Sequence, residues 1–262
     1  MAAASKDKFP AVRKVLMGEF AAIARDPALV SVVAMSAAPA FLFQIFSREF
    51  DGLFLDQLGI AQGTRVVAGF VGSLPGLLIG WVFAMRFLED RDEGLEPVIA
   101  ASEFGIWRFT LLRLFLAAML AFALSAATAV SMEASGGIVI AVVAICASLQ
   151  ALLVASLLPS FAENRVEGLA YSKLISPFAL AAVAALVDTN LRLLAAPLPT
   201  FHMGQLLSRN SEPGQFALAA ALLVNLVWAL VAVMIFRRRI GMANGRTGDH
   251  RLTRAQGARD DG

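Results

Sequence analysis

Six long apolar stretches restrict this chain to one class of fold. They are Ala28–Ser47, Val66–Leu88, Phe109–Ser131, Ile138–Ser160, Leu174–Leu194 and Phe216–Phe236. At about 1.5 Å of rise per residue, each is long enough as an α-helix to cross the roughly 30 Å of hydrocarbon in a bilayer. None shows the alternation of apolar and polar residues that a strand would need. The sequence therefore predicts an all-α integral membrane protein with six transmembrane helices.

The composition agrees with this prediction and excludes several kinds of site. Only 16% of the residues are charged, against about 25% in soluble domains. The single cysteine, Cys146, lies inside an apolar stretch, which leaves neither a disulfide framework nor a cysteine metal site. A formal charge of +2 is too small to indicate a nucleic-acid partner.

The distribution of Lys and Arg predicts the orientation of the spans. If the amino terminus is inside, only Arg48, Arg65, Arg192 and Arg209 lie outside, which leaves 18 of the 22 basic residues on the inner side. Cytoplasmic loops carry such an excess of positive charge. We therefore expect an N-in/C-in, multi-pass protein of the inner (plasma) membrane of a bacterial cell.

Three segments are predicted along the chain. Residues 1–27 form a cytoplasmic amino terminus whose Val12, Leu16, Phe20 and Ile23 recur at helical spacing, as in an amphipathic helix lying at the membrane interface. Residues 28–236 form the six-span transmembrane domain. Residues 237–262 are basic and nearly free of apolar side chains, and this composition predicts a disordered cytoplasmic tail.

Residues with catalytic potential are scarce. The two histidines, His202 and His250, fall on opposite sides of the membrane in this topology, and no metalloprotease or serine-hydrolase motif is present. The sequence also lacks the Gly-Lys of a phosphate-binding loop. We expect no catalytic residues, no metal site and no enzyme activity in this chain, so that any nucleotide must be bound by another chain.

Polar residues within the spans allow two interpretations. The amides of Gln44, Gln150 and Asn225 either contact a substrate or join helices to one another. The second span also carries Gly72, Gly76 and Gly80 at four-residue intervals, a pattern that allows a neighbouring helix to approach closely. The spans contain few ionisable residues, so coupling to protons or sodium has no obvious carrier.

An acidic segment separates the second span from the third. Gly94 is expected to end the helix of the second span, and Pro97 to begin a short helix near Pro97–Glu103. Leu95, Val98 and Ile99 would form its apolar face, while three carboxylates, Glu93, Glu96 and Glu103, would stay in water. Such a helix is suited to docking in the groove of a partner, although a solvated acidic loop explains the same residues.

Two inner segments resemble the permease subunits of ABC-2 type exporters. In the first, the matching residues are Glu89, Asp92, Glu93, Gly94 and Glu96, followed by Arg108 and Arg113. In the second, they are Ala162, Asn164, Glu167, Gly168, Ala170 and Lys173. The segment "LEDRDEGLEPVIAAS" is most similar to permeases for fluoroquinolone or multidrug export. The chain departs from the family at Ser102-Glu103, where a small-Thr-Pro stretch is common.

The resemblance implies that the chain works with other subunits. Two permease chains, identical or different, would form the path, and two copies of an ABC ATPase would bind ATP and Mg²⁺. The ATPases would dock on two groups of residues: Glu93, Glu96, Val98, Ile99 and Glu103, and Glu163, Glu167 and Gly168. A hydrophobic or amphipathic substrate, drug or lipid-like, would pass Phe41, Phe43, Phe70 and Phe83 together with the three span amides. The alternative is an ion-coupled secondary transporter or channel-like protein without an ATPase.

Overall fold

The computed structural model describes residues 8–58, 63–102, 105–132, 136–185, 194–208 and 214–260, and these residues are helical with no strand among them. The helices are α1 (Lys8–Arg25), α2 (Pro27–Leu58), α3 (Gly63–Asp92), α4 (Glu96–Ala101), α5 (Ile106–Ser131), α6 (Gly137–Phe161), α7 (Arg165–Tyr171), α8 (Ser176–Ala184), α9 (Pro199–Ser208) and α10 (Gln215–Asp260). A 3₁₀ turn, Ser172–Ile175, joins α7 to α8.

Six helical segments of the described chain are long and apolar enough to cross a membrane, which confirms the predicted fold class. They are Pro27–Phe46, Val67–Asp92, Ile106–Ser131, Gly137–Phe161, Arg165–Ala184 and Gln215–Ile240. Five of them agree with the predicted spans to within a few residues. The inward or outward direction of the spans stays a prediction.

Helices α3 and α6 form the centre of the bundle, and glycines bring them together. A Cβ added to Gly80 would lie 2.8 Å from the carbonyl oxygen of Ala151, and one added to Gly76 would lie 2.7 Å from that of Ala147. Real Cβ atoms do not approach backbone this closely, so the two helices reach this separation only because glycine has no side chain. Gly72 faces the side chain of Leu207 on α9 instead.

The fifth span differs from the continuous helix predicted over Leu174–Leu194. The structure has α7, the 3₁₀ turn and then the nine-residue α8. Pro177 lies in the first turn of α8, where its missing N–H group and its ring prevent a helix from continuing through it. Residues 186–193 lie outside the described part of the chain.

The segment between the fifth and sixth spans contributes α9, which packs deep in the bundle. Phe201 and Met203 of α9 are buried. Asn225 of α10 donates a hydrogen bond of 3.0 Å from Nδ2 to the carbonyl oxygen of Pro199, and Thr200 donates from Oγ1 to that of Phe178. The segment between the fifth and sixth spans is therefore partly a helix, tied to α8 and α10 by hydrogen bonds between side chains and backbone carbonyls.

The last helix is longer than its membrane-spanning portion. Helix α10 continues to Asp260, through the segment for which the composition predicts disorder. Arg, Ala and Gln residues in that segment have good helix propensity, which favours continuation of a helix that is already formed. The division of the chain at residues 27 and 236 stays a prediction.

Candidate functional site

Helix α4 is a short projecting element held between two glycines. Gly94 has φ +66° and Gly105 has φ +72°, values that residues with a Cβ rarely adopt. The N–H of Leu95 donates to the carbonyl oxygen of Asp90 at 2.8 Å, which closes the turn between α3 and α4. Helix α4 has no buried residue, and Val98 is 66% exposed. The sequence predicted this helix from Pro97, one residue after its observed start.

The acidic residues of this segment have different surroundings. Glu93 is exposed, whereas Glu96 accepts a hydrogen bond of 3.0 Å from Nε of Arg91. The same arginine donates from Nη1 to the carbonyl oxygen of Ala162 at 2.8 Å. Arg91 therefore connects α4 to the end of α6. Glu103 lies outside the described residues.

Helix α7 lies beside this region and has a well-defined start. The side chain of the N-cap residue Asn164 accepts from the N–H of Glu167 at 2.9 Å, and the Glu167 carboxylate accepts at 2.8 Å from the N–H of Glu163, one residue before the position used in a capping box. Gly168 packs on α3, because a Cβ there would lie 2.3 Å from Cδ1 of Leu88. The opposite face of α7 is apolar and exposed.

Arg165, the first residue of α7, contacts carboxylates of α3 and of the junction between α1 and α2. Its Nη1 lies 3.2 Å from Glu89 Oε1, its Nη2 lies 3.5 Å from Asp26 Oδ2, and its N–H donates to Asp92 Oδ2 at 3.0 Å. The ion-paired residues Asp26, Glu89, Arg91, Arg113, Arg165 and Arg239 define what we call the charged end of the bundle. The ends of all six candidate spans meet there, α6 through the carbonyl oxygens of Ala162 and Ser160, which accept from Arg91 and Arg239.

A second arginine at the charged end is almost completely buried. Arg113 of α5 is 1% exposed and donates to Glu19 of α1 at 2.5 and 3.1 Å and to Asp90 of α3 at 2.6 Å. Its guanidinium carbon also lies 4.8 Å from the ring centre of Phe87 and 4.6 Å from that of Phe109. Two carboxylates and two aromatic faces thus surround one cation.

The sequence patterns do not predict this cluster: Arg113 belongs to the family resemblance, and nothing there points to Glu19 or Asp90 as its partners. Two signals were present. An arginine four residues inside a predicted span is expensive unless it is paired. Glu19 also lies four residues before Ile23, on the same face of α1, where an apolar residue is expected.

The residues predicted to line a substrate path are dispersed in this chain. Phe41 and Gln44 of α2 are exposed, Phe70 is half-buried and Phe83 is buried in the core. The side chain of Phe43 lies outside the described part of the structure. Gln150 and Asn225 are buried and joined by a hydrogen bond of 3.1 Å from Gln150 Nε2 to Asn225 Oδ1.

Two small cavities lie near the charged end. One, of about 60 Å³, is an open apolar groove between α6 and α8 that includes Phe161, Tyr171 and Phe178 in its lining. The other, of about 20 Å³, lies under α4 beside Ile99 and Phe109. Both are far smaller than the roughly 300–1,000 Å³ of a site for a drug-sized ligand. Among the described residues, no group of three or more His, Cys, Asp and Glu side chains could hold a metal ion.

Comparison with known proteins assigns the chain to a family. The model of one family, described as "Fluoroquinolones export permease protein Rv2686c-like", matches residues 19–236. The match covers the six spans, α4 and α7, and begins at Glu19. No curated protein and no solved structure is similar enough to count as a match. The six apolar helices and the family match together show that this multi-pass membrane protein belongs to the Rv2686c-like family of fluoroquinolone export permeases.

Proposed function

We propose that this chain is the membrane-spanning subunit of an ATP-driven exporter. Two copies of a separate ABC ATPase would bind ATP and Mg²⁺ and dock on α4 and α7, and two permease chains would pair around the path. The substrate class is an amphipathic aromatic drug of the fluoroquinolone type, moved out of the cytoplasm or the inner leaflet. The permease itself would carry no catalytic residue.

The exposed apolar side chains at the charged end carry this proposal. Val98 on α4 is 66% exposed, and Val166 and Leu169 on α7 are 78% and 56% exposed. In a helix, residues 166 and 169 share one face. Val98 lies outside the six candidate spans, and Val166 and Leu169 lie at the start of the fifth, so this apolar patch is at the end of the bundle. Such exposed patches are typical of surfaces that bind another protein. The groove of an ATPase domain would cover both helices.

The surroundings of the exposed surface suit a transmitted movement. Helix α4 is fastened through Arg91 to the end of α6, and α7 rests on α3 through Gly168. Helices α3 and α6 are the centre of the bundle, so a force on either short helix reaches the core directly. The positive-φ glycines on both sides of α4 allow it to tilt about its ends without breaking a helix.

Helix α2 supports the pairing of two permease chains. Only about 12% of the apolar segment Pro27–Phe46 is buried within this chain, and the side chain of Gln44 in that segment is exposed. An amide facing hydrocarbon loses its hydrogen bonds to water and gains none in return. A second chain facing α2 would cover Gln44 and would place Phe41 on a shared path. This arrangement also explains why neither cavity within one chain is large enough for a drug.

Co-purification from native membranes in mild detergent tests the proposal. We expect a stoichiometric partner with a phosphate-binding loop and vanadate-sensitive ATP hydrolysis. A permease that purifies without such a partner, and that exports drug in response to a proton or sodium gradient, would favour the secondary transporter instead.

A pair of substitutions at one position makes the test specific to α4. Val98→Glu puts a charge on the proposed docking surface and should remove the ATPase from the purified complex without affecting insertion, because the side chain is exposed. Val98→Ile keeps the surface apolar and should retain the ATPase. Equal recovery of ATPase with both variants would show that α4 does not contact it.

A further inference from the structure

We infer that Glu19, Asp90 and Arg113 form the joint through which movement of α4 reaches the amino-terminal helix and the third span. The three are then positioning residues for export, and their role goes beyond holding the fold together. The inference rests on the proposed ATP-driven function. We call these three side chains the buried triad.

Both ends of the α4 segment are connected to the buried triad. At the first end, the carbonyl oxygen of Asp90 accepts from Leu95 at 2.8 Å while its carboxylate accepts from Arg113 at 2.6 Å. At the second end, the N–H of Phe109 donates to the carbonyl oxygen of Gly105 at 3.2 Å, and the Phe109 ring lies against the guanidinium of Arg113. A tilt of α4 about its two glycines therefore displaces groups that touch Arg113.

The triad passes this displacement to α1 and α2. Glu19 takes two of the hydrogen bonds of Arg113, a bidentate arrangement that fixes direction as well as distance. Helix α1 ends at Arg25 and α2 begins at Pro27, with the carboxylate of Asp26 accepting from the N–H of Ala28 at 2.9 Å. Any rotation of α1 is thus carried into α2, the helix proposed to line the path.

The charges of the triad allow its role in movement to be separated from its role in stability. Removing Arg113 alone would strand two buried carboxylates and destabilise the protein whatever its function. Replacing a complete buried ion group with apolar residues of similar size is often neutral or stabilising. The triple variant Glu19→Met, Asp90→Leu, Arg113→Met should therefore fold, while losing the directional hydrogen bonds.

The experiment measures norfloxacin uptake and ATP hydrolysis in inverted membrane vesicles that contain the full permease–ATPase complex. For the triple variant we expect the ratio of drug transported to ATP hydrolysed to fall by about tenfold. Its thermal stability in detergent should equal or exceed that of the wild type. Arg108→Met is the matched control, because Arg108 is exposed at the same end of α5, and it should keep the wild-type ratio.

A second variant decides the matter if the triple variant does not fold. Arg113→Lys keeps a cation between the carboxylates but cannot form the bidentate pair with Glu19. We expect its transport ratio to fall by about threefold when the assay is run well below its melting temperature, which should itself fall because a buried hydrogen bond is lost. The inferred role of the buried triad is wrong if the triple variant keeps the wild-type ratio. It is also wrong if only Arg113→Lys folds and that variant keeps the wild-type ratio. If wild-type vesicles take up no drug with Mg·ATP, the proposed function fails, and the inference fails with it.

Discussion

Gly204→Ala should be among the most damaging small substitutions in the described chain. A Cβ at this position of α9 would lie 2.1 Å from the carbonyl oxygen of Ala182 on α8, and 2.9 Å from the carbonyl carbon. Gly69 of α3 approaches the same point, since a Cβ there would lie 2.6 Å from Cα of Gly204. Every obstructing atom belongs to a backbone, so no rotamer change can relieve the clash.

The distances set the size of the effect. Ordinary contacts of a Cβ begin at 3.4 Å, so α9 must withdraw from α8 by about 1.3 Å. Overpacking of this kind costs about 1–3 kcal/mol. We expect the upper end, because withdrawal also stretches the hydrogen bonds from Asn225 to Pro199 and from Thr200 to Phe178. For a chain of this size, about 3 kcal/mol corresponds to a drop in Tm of roughly 6–12 °C.

The assay is thermal unfolding in detergent, followed by size-exclusion chromatography of the soluble fraction. Gly52→Ala is the matched control. Gly52 is also helical, and a Cβ added there would have no atom within 4 Å. Alanine has the higher helix propensity, so this control should raise stability by about 0.5–1 kcal/mol or leave it unchanged. If Gly204→Ala and Gly52→Ala melt at the same temperature, the close seating of α9 is wrong.

Three further predictions concern polar groups in and around the bundle. Burial lowers the pKa of His202, and this outweighs the hydrogen bond to the Ala196 carbonyl, which raises it. The stability that neutral His202 contributes is therefore complete above the ordinary histidine pKa of about 6.5 and should be lost as the pH falls toward the folded pKa. The melting temperature of His202→Gln should depend less on pH between pH 8 and 5. Asn225→Leu should cost about 1–3 kcal/mol because it takes away the amide partner of Gln150, and addition of Gln150→Leu should restore part of the loss in the same melting assay. Trp81→Phe should lower stability by about 1 kcal/mol, since Trp81 Nε1 donates to Ser172 Oγ at 2.6 Å, and Ser172→Ala in that background should add little.

Much of the fold follows from patterns that are local in the sequence. The spans could be predicted because about 20 apolar residues have few alternatives to a membrane helix. Helix α4 could be predicted because Gly94 and Pro97 stop one helix and start another within a few residues. These signals depend only on neighbouring residues and need no knowledge of what packs against them.

The remaining features depend on contacts between distant parts of the chain. Arg113 and Glu19 are 94 residues apart, and no single window of sequence shows that one would neutralise the other. Hydropathy also missed the break before α8, because Leu174 and Ile175 are as apolar as the helix that follows them. The dispersal of the predicted path residues fits the proposed pairing of two chains, because a path shared by two chains would not form a cavity within one.

The order of residues in the buried triad has a consequence for biosynthesis. Both carboxylates precede Arg113 in the chain, and the nearer one is 23 residues upstream. At roughly 5–20 residues per second, the ribosome makes Asp90 a few seconds before the arginine. A lone arginine at the centre of an apolar helix adds about 2.5–3.5 kcal/mol to the cost of insertion by the translocon, and one nearer the end, like Arg113, adds less. Because both anions are made first, they are available to pair with the arginine as the third span enters the bilayer, so its charge need not be inserted alone.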